Sequence, residues 1–180
     1  MIYNVPRMLG DWFGNATHGV DAMLDLVPRD VGTPQPADFA LVTTESQDGD
    51  TARNELPKSR PCLTVAADHV VDEDGQIETV TGDGKIKVRV RVGIDNADTA
   101  AAVAELGVRL RAVKWSMRRF TDSRFNPEND PSRTRNDIYV ESCLDLASQI
   151  IWTQTQTEGA TVSGYVIGQY RVRDLTPTGT

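Results

Sequence analysis

The sequence predicts an α+β fold: an antiparallel sheet of about four to five strands packed against one long helix, with short helices at the N-terminus. Three observations carry this. Residues 85–94, KIKVRVRVGI, alternate cation and aliphatic without a break, the two-residue period of a strand with one wet and one buried face. Residues 95–120 place Val103, Leu106, Leu110, Val113, Met117 and Phe120 at intervals of three and four, the stripe of a helix lying on a sheet. Residues 137–156 and 161–175 set Ile138, Val140, Leu144, Leu146, Ile150 and Trp152, then Val162, Val166, Tyr170 and Val172, on even positions, as two further strands joined near residues 157–160 would.

In chain order, apolar residues at Val5, Met8, Leu9, Trp12, Phe13, Val20, Met23, Leu24 and Val27 follow helical spacing interrupted by Gly10, Gly14 and Gly19. One or two short helices ending at Pro28 are expected. Residues 29–60 are rich in Pro, Gly, Asp and Thr and read as a long loop, with one short strand at Phe39 to Thr44. Residues 60–71 form a strand, 72–76 a turn, 77–81 a second strand and 82–84 another turn into KIKVRVRVGI, which together predict a three-strand antiparallel meander. The long helix begins where Asp95, Asn96, Asp98 and Thr99 supply capping oxygens, and it ends on Arg118 and Arg119, the charge order that a helix dipole favours. Residues 121–136 form a polar loop, LDLASQII within 137–156 has room for a helical turn or bulge, and 176–180 should fray.

Length and composition bound the function. The 180 residues, 39% hydrophobic and 25% charged, suit a single domain over 1–180, and no apolar run approaches the roughly 20 residues needed to span a bilayer. The first ten residues lack the charged and apolar regions of a secretory signal, so a cytoplasmic product with no membrane partner is expected. Cys62 and Cys143 stand apart without ligand spacing and read as two reduced thiols. His18 and His69 sit in no recognisable catalytic setting and read as surface or packing residues. The DEDG at 72–75 fails the calcium-loop pattern, and the GDGK at 82–85 is followed by a strand where a phosphate loop needs a helix. No enzyme, metal or cofactor is indicated.

The charge is uneven. Between Lys85 and Arg119 nine cations face three anions, a local balance of +6 in a chain of net −7, so the rest carries −13. Nucleic-acid binding would want those cations interleaved with exposed aromatics, and the strand has none. A wet strand face, or pairing with an acidic surface such as a second copy, fits the pattern better. The skew of Arg over Lys, 15 to 4, most cheaply reflects genome composition, although Arg is also the better residue for paired contacts between subunits. Lys85, Lys87, Arg89, Arg91, Arg111 and Arg118 are the candidate interface residues.

With SRPCLTV at 59–65 leading into the first strand, GKIKVRVRVGIDNADTAAAVAELGVRLRAVK at 84–114 running from strand into helix, and GYVIGQYRVRDL at 164–175 as last strand, the chain resembles over residues 5–176 the tail terminator (tail completion) proteins of long-tailed bacteriophages. The resemblance implies a small structural protein, assembled in the host cytoplasm as a ring, a hexamer, on the head-proximal end of the tail tube in the virion neck. There it would end tube polymerisation and meet the head-tail connector proteins. It would carry no catalytic residues or cofactor, and would meet DNA only as DNA passes through the lumen. The candidate cations would then line subunit or lumen surfaces, and the 29–60 loop is longer than the pattern requires. A head completion or connector adaptor is the nearest alternative, and a nucleic-acid-binding module using the basic strand and helix is a further one.

Overall fold

The structure, a computed structural model, describes residues 4–44, 59–67, 84–120, 138–156 and 159–174. Helix α1 (Asn4–Phe13) carries Pro6 in its first turn, where a missing N–H costs nothing, and buries Val5, Met8, Leu9, Trp12 and Phe13 along one stripe. A tight connection follows, in which the Asn15 side chain accepts the backbone N–H groups of Thr17 and His18, both at 2.9 Å. Helix α2 (Val20–Leu26) then buries Val20, Met23 and Leu24. Both helices arise where the spacing predicts them.

Five strands form one sheet: β1 (Leu41–Thr44), β2 (Cys62–Ala67), β3 (Gly84–Asn96), β4 (Ile138–Gln156) and β5 (Gly159–Asp174), in the order β1-β2-β3-β5-β4. Helix α3 (Thr99–Arg119) lies between β3 and β4 in the chain. The sheet is antiparallel throughout except at its edge, where β1 runs parallel to β2. The parallel pair is possible because residues 45–61 give the chain length to cross back.

The expected three-strand meander is not formed as drawn. β2 pairs directly with β3, Leu63 opposite Val92 and Val65 opposite Val90. Residues 72–81 themselves fall outside the described residues, as do 45–58, the 121–136 loop and the 176–180 tail.

β3 is the centre of the fold because it alternates. Ile86, Val88, Val90, Val92 and Ile94 are all buried, each worth about 1.5–3 kcal/mol by apolar burial. They stand opposite Tyr170, Gly168, Val166, Gly164 and Val162 of β5 in a ladder of thirteen consecutive pairs. Helices α1 and α3 cover this face, and α2 rests on α3.

Asp98 caps α3 by accepting the N–H groups of Ala100 and Ala101. Its buried surface is wider than the single expected stripe. Val103 is half-exposed, whereas Ala102, Val108, Arg109, Ala112 and Ser116 join Leu106, Leu110, Val113 and Met117 inside, because α3 packs against the sheet on one side and α2 on the other. Polar atoms at these contacts are matched. Trp12 Nε1–H donates to the Ser116 carbonyl at 3.1 Å, Ser116 Oγ to the His18 carbonyl at 2.7 Å, and the Tyr170 hydroxyl to the Met117 carbonyl at 3.0 Å.

β4 departs from simple alternation. Its register against β5 shifts between Val140 and Ser142, between Cys143 and Asp145, and between Trp152 and Gln154. The second shift makes Leu144 the extra residue of a bulge, which turns it outward at 41% exposure while Cys143 and Leu146 both pack on the core. The even-position rule therefore fails at Leu144 for a local backbone reason.

Candidate interaction surface

The opposite face of the sheet is lined by the odd positions of β3 and β5, and no described helix lies on it. Lys85, Lys87 and Arg89 are exposed on it, Arg91 is half-buried, and each sits opposite a β5 residue of the same face: Arg171, Gln169, Ile167 and Tyr165 respectively. The Arg89 guanidinium lies over the Tyr165 ring, 5.3 Å from its centroid, a contact worth about 0.5–1 kcal/mol at such a site. Five cations thus share one face within a two-strand ladder. Lys85 and Arg171 stand directly opposite each other, a like-charge pair that destabilises a sheet unless an anion comes between or beside it.

The described acids of this face are two. Asp95 pairs with Arg60 and accepts the Thr161 hydroxyl at 2.7 Å, and Asp145 is exposed on the edge strand β4 opposite Gln169. At the Asp95 end the face is closed: Cys62, Thr64 and Ser163 are buried, and burial pushes the Cys62 thiol above its ordinary range.

The six candidate cations are not one cluster. Arg111 and Arg118 are exposed on α3, on the helical side of the sheet, away from the β3 row. Arg111 donates to the Pro28 carbonyl at 2.9 Å, and Arg118 lies near Cys143, whose thiol burial pushes up to about 11 against the pull of that charge. Arg109, counted with the basic unit in the sequence, is not a surface charge at all. It is 1% exposed, pairs with Glu105 one turn earlier at 2.7 Å, and stacks on Phe39 at 4.8 Å from the ring centroid.

A second charged surface lies on the helical side. Residues 21–38 carry four aspartates and one arginine, and Asp25, Asp30 and Asp38 are exposed. This strap is held in place at several points. Gln35 donates to Asp25 at 3.0 Å, the Phe39 N–H to Asp21 at 3.0 Å, and the Ala40 N–H to the Pro61 carbonyl at 2.8 Å. Its tip is a turn closed by Thr33 N–H donating to the Asp30 carbonyl at 3.0 Å, with Gly32 at φ +89°, where a side chain would be strained. Val31, beside that glycine, is fully exposed, and Leu26 is 59% exposed.

Asp21 fastens the strap at a cost. Burial raises its carboxyl above 3.8 even though the Phe39 N–H and Arg109 pull it down, with Asp38 and Asp25 adding to the rise. The folded state therefore holds the Asp21 proton more tightly than the unfolded chain does, and stability is lost as pH rises from 3.8 through the raised value. Asp21→Asn keeps the acceptor for Phe39 without the charge. It should be more stable than the wild type at neutral pH, with the gain vanishing as pH falls toward 3.8, read from denaturation midpoints across that range.

Tyr165, Ile167 and Arg171 are not among the residues that the sequence singles out, although they occupy the odd positions of β5, which its alternation assigns to the face opposite the core. Among the described residues no three His, Cys, Asp or Glu side chains gather to hold a metal, and no helix is long and apolar enough to cross a membrane. Compared with known proteins, the chain matches no family model and no curated relative.

Proposed function

We propose that the chain is a structural ring subunit that caps the head-proximal end of a phage tail tube, ends its polymerisation and joins it to the head connector. One observation supports this most. The protein is a two-sided slab whose chemistry is concentrated on flat surfaces, with a cationic sheet face on one side and helices and an acidic strap on the other. Such a subunit has unlike front and back, which a closed ring requires, since a heterologous contact joins one surface to a different one. A hexamer is the expected ring, with the tail tube protein on one side and connector proteins on the other, and DNA meeting it only in the lumen.

The test is absolute mass in solution and on isolated tail tubes. The expected result is a closed oligomer that seats on tube ends and stops their growth. Reversing Arg89 and Arg91 to Glu should abolish both ring formation and capping; an unchanged ring with unchanged capping removes the strand from the interface. Protein that binds filled heads and leaves tubes uncapped would instead be a connector adaptor. Monomeric protein retained on duplex DNA, with affinity falling steeply as salt rises, would be a nucleic-acid-binding module.

A further inference from the structure

We infer that the cationic sheet face of one subunit receives the acidic 21–38 strap of the next, so that the chain associates front to back with copies of itself. This rests on the reading of the chain as a self-associating ring subunit, and not on what the ring caps.

Charge complementarity is the first support. The sheet face presents Lys85, Lys87, Arg89, Arg91 and Arg171, and the strap presents Asp25, Asp30 and Asp38. Each surface repels its own kind, so two sheet faces or two straps do not meet, and only the unlike pairing lowers the energy. The opposed Lys85 and Arg171 sharpen this, because an incoming carboxylate turns an unfavourable cross-strand pair into a bridged one.

The apolar pattern is the second support. Of the four large hydrophobic residues exposed among the described residues, Leu26 and Val31 lie on the strap, set among its aspartates. The sheet face carries half-buried Tyr165 and Ile167 between its cations. An apolar centre ringed by charges on one surface thus meets the same arrangement, with opposite sign, on the other.

Preorganisation is the third. The Asp30 to Thr33 turn and the ties from Gln35, Phe39 and Arg111 hold the strap in one conformation before any partner arrives, so little ordering remains for association to cost. A nucleic acid is the weaker occupant. The net charge of −7 repels a polyanion at a distance, and β3, which carries most of these cations, has no aromatic residue for bases to stack on.

A charge swap tests the pairing. Variant one carries Lys85→Glu, Lys87→Glu and Arg89→Glu on the sheet face; variant two carries Asp30→Lys and Asp38→Lys on the strap. Each alone now sets like charge against like and should run as a monomer by light scattering, with the folded far-ultraviolet spectrum of the wild type. Mixed one to one, the two should reassemble as alternating oligomers containing only even numbers of subunits, because every contact in the mixture joins opposite signs. Several results would overturn the inference: a wild type that never self-associates, single variants that assemble as the wild type does, folded variants that stay monomeric on mixing, or a wild-type monomer whose retention on a DNA column is lost in variant one. Alternating oligomers that leave tail tubes uncapped would keep the pairing and discard the proposed function.

Discussion

Gly19→Ala should cost about 3 kcal/mol, at the upper end of what overpacking does, because there is no room for one more carbon. A Cβ at Gly19 would stand closer than 3.0 Å to the carbonyl oxygens of Phe13 and Asn15, backbone atoms that cannot rotate away. Gly19 closes the turn that leads from α1 into α2, which rests on α3, and its N–H donates to Asn15 O at 2.8 Å. Two other glycines serve as controls. At Gly14 the nearest atom would be 3.5 Å away, so alanine there should be near neutral. At Gly107, inside α3, nothing lies within 4 Å, and alanine should stabilise by about 0.5–1 kcal/mol through helix propensity alone. Urea midpoints for the three variants check the order. A Gly19→Ala protein as stable as the wild type would mean the α1 to α2 turn is looser than described.

Much of this architecture is legible in residue periodicity. The alternation of Ile86 to Ile94 places β3, the three-and-four spacing from Leu106 to Phe120 places α3, and Val5 to Phe13 places α1, because each pattern has one way to hide its apolar side. What is not legible is pairing. Nothing in Leu41 to Thr44 says that this strand runs parallel to Cys62 to Ala67, and nothing in Leu144 says that it is the surplus residue of a bulge. Both depend on partners distant in sequence. The same holds at the candidate surface. Lys85, Lys87, Arg89 and Arg91 share a face by their spacing, but the separation of Arg111 and Arg118 from them follows from α3 packing on the opposite side of the sheet. Arg109 reads as one more surface cation until its neighbours Glu105 and Phe39 are known.

Removing one partner of that buried pair should be worse than removing the charge altogether. Arg109 is 1% exposed, and Nη1 finds no hydrogen-bond partner among the described residues, so its charge depends on Glu105, which accepts Nε at 2.8 Å as well as Nη2. Glu105→Ala strands a guanidinium in the core. Loss of a wholly buried partner costs 3–5 kcal/mol; since the Glu105 side chain keeps 24% exposure and water can take part of its place, about 2–3 kcal/mol is expected here. Arg109→Met, which fills similar volume without a charge and can still lie against Phe39, should cost under about 1.5 kcal/mol. The double variant should recover most of what Glu105→Ala loses. A thermodynamic cycle over the four proteins measures this, and equal losses for both single variants would show that the guanidinium is better solvated than its burial implies.

The ladder between β3 and β5 has a kinetic consequence. Its thirteen pairs run without a register break, whereas β4, on the far side of β5, is interrupted three times. Amide protons of Val88, Val90 and Val166 should be the last to exchange with deuterated water, released only when the whole molecule opens. Those of Ser142 to Leu146 on β4 should exchange through smaller, local fluctuations that leave the β3 row in place.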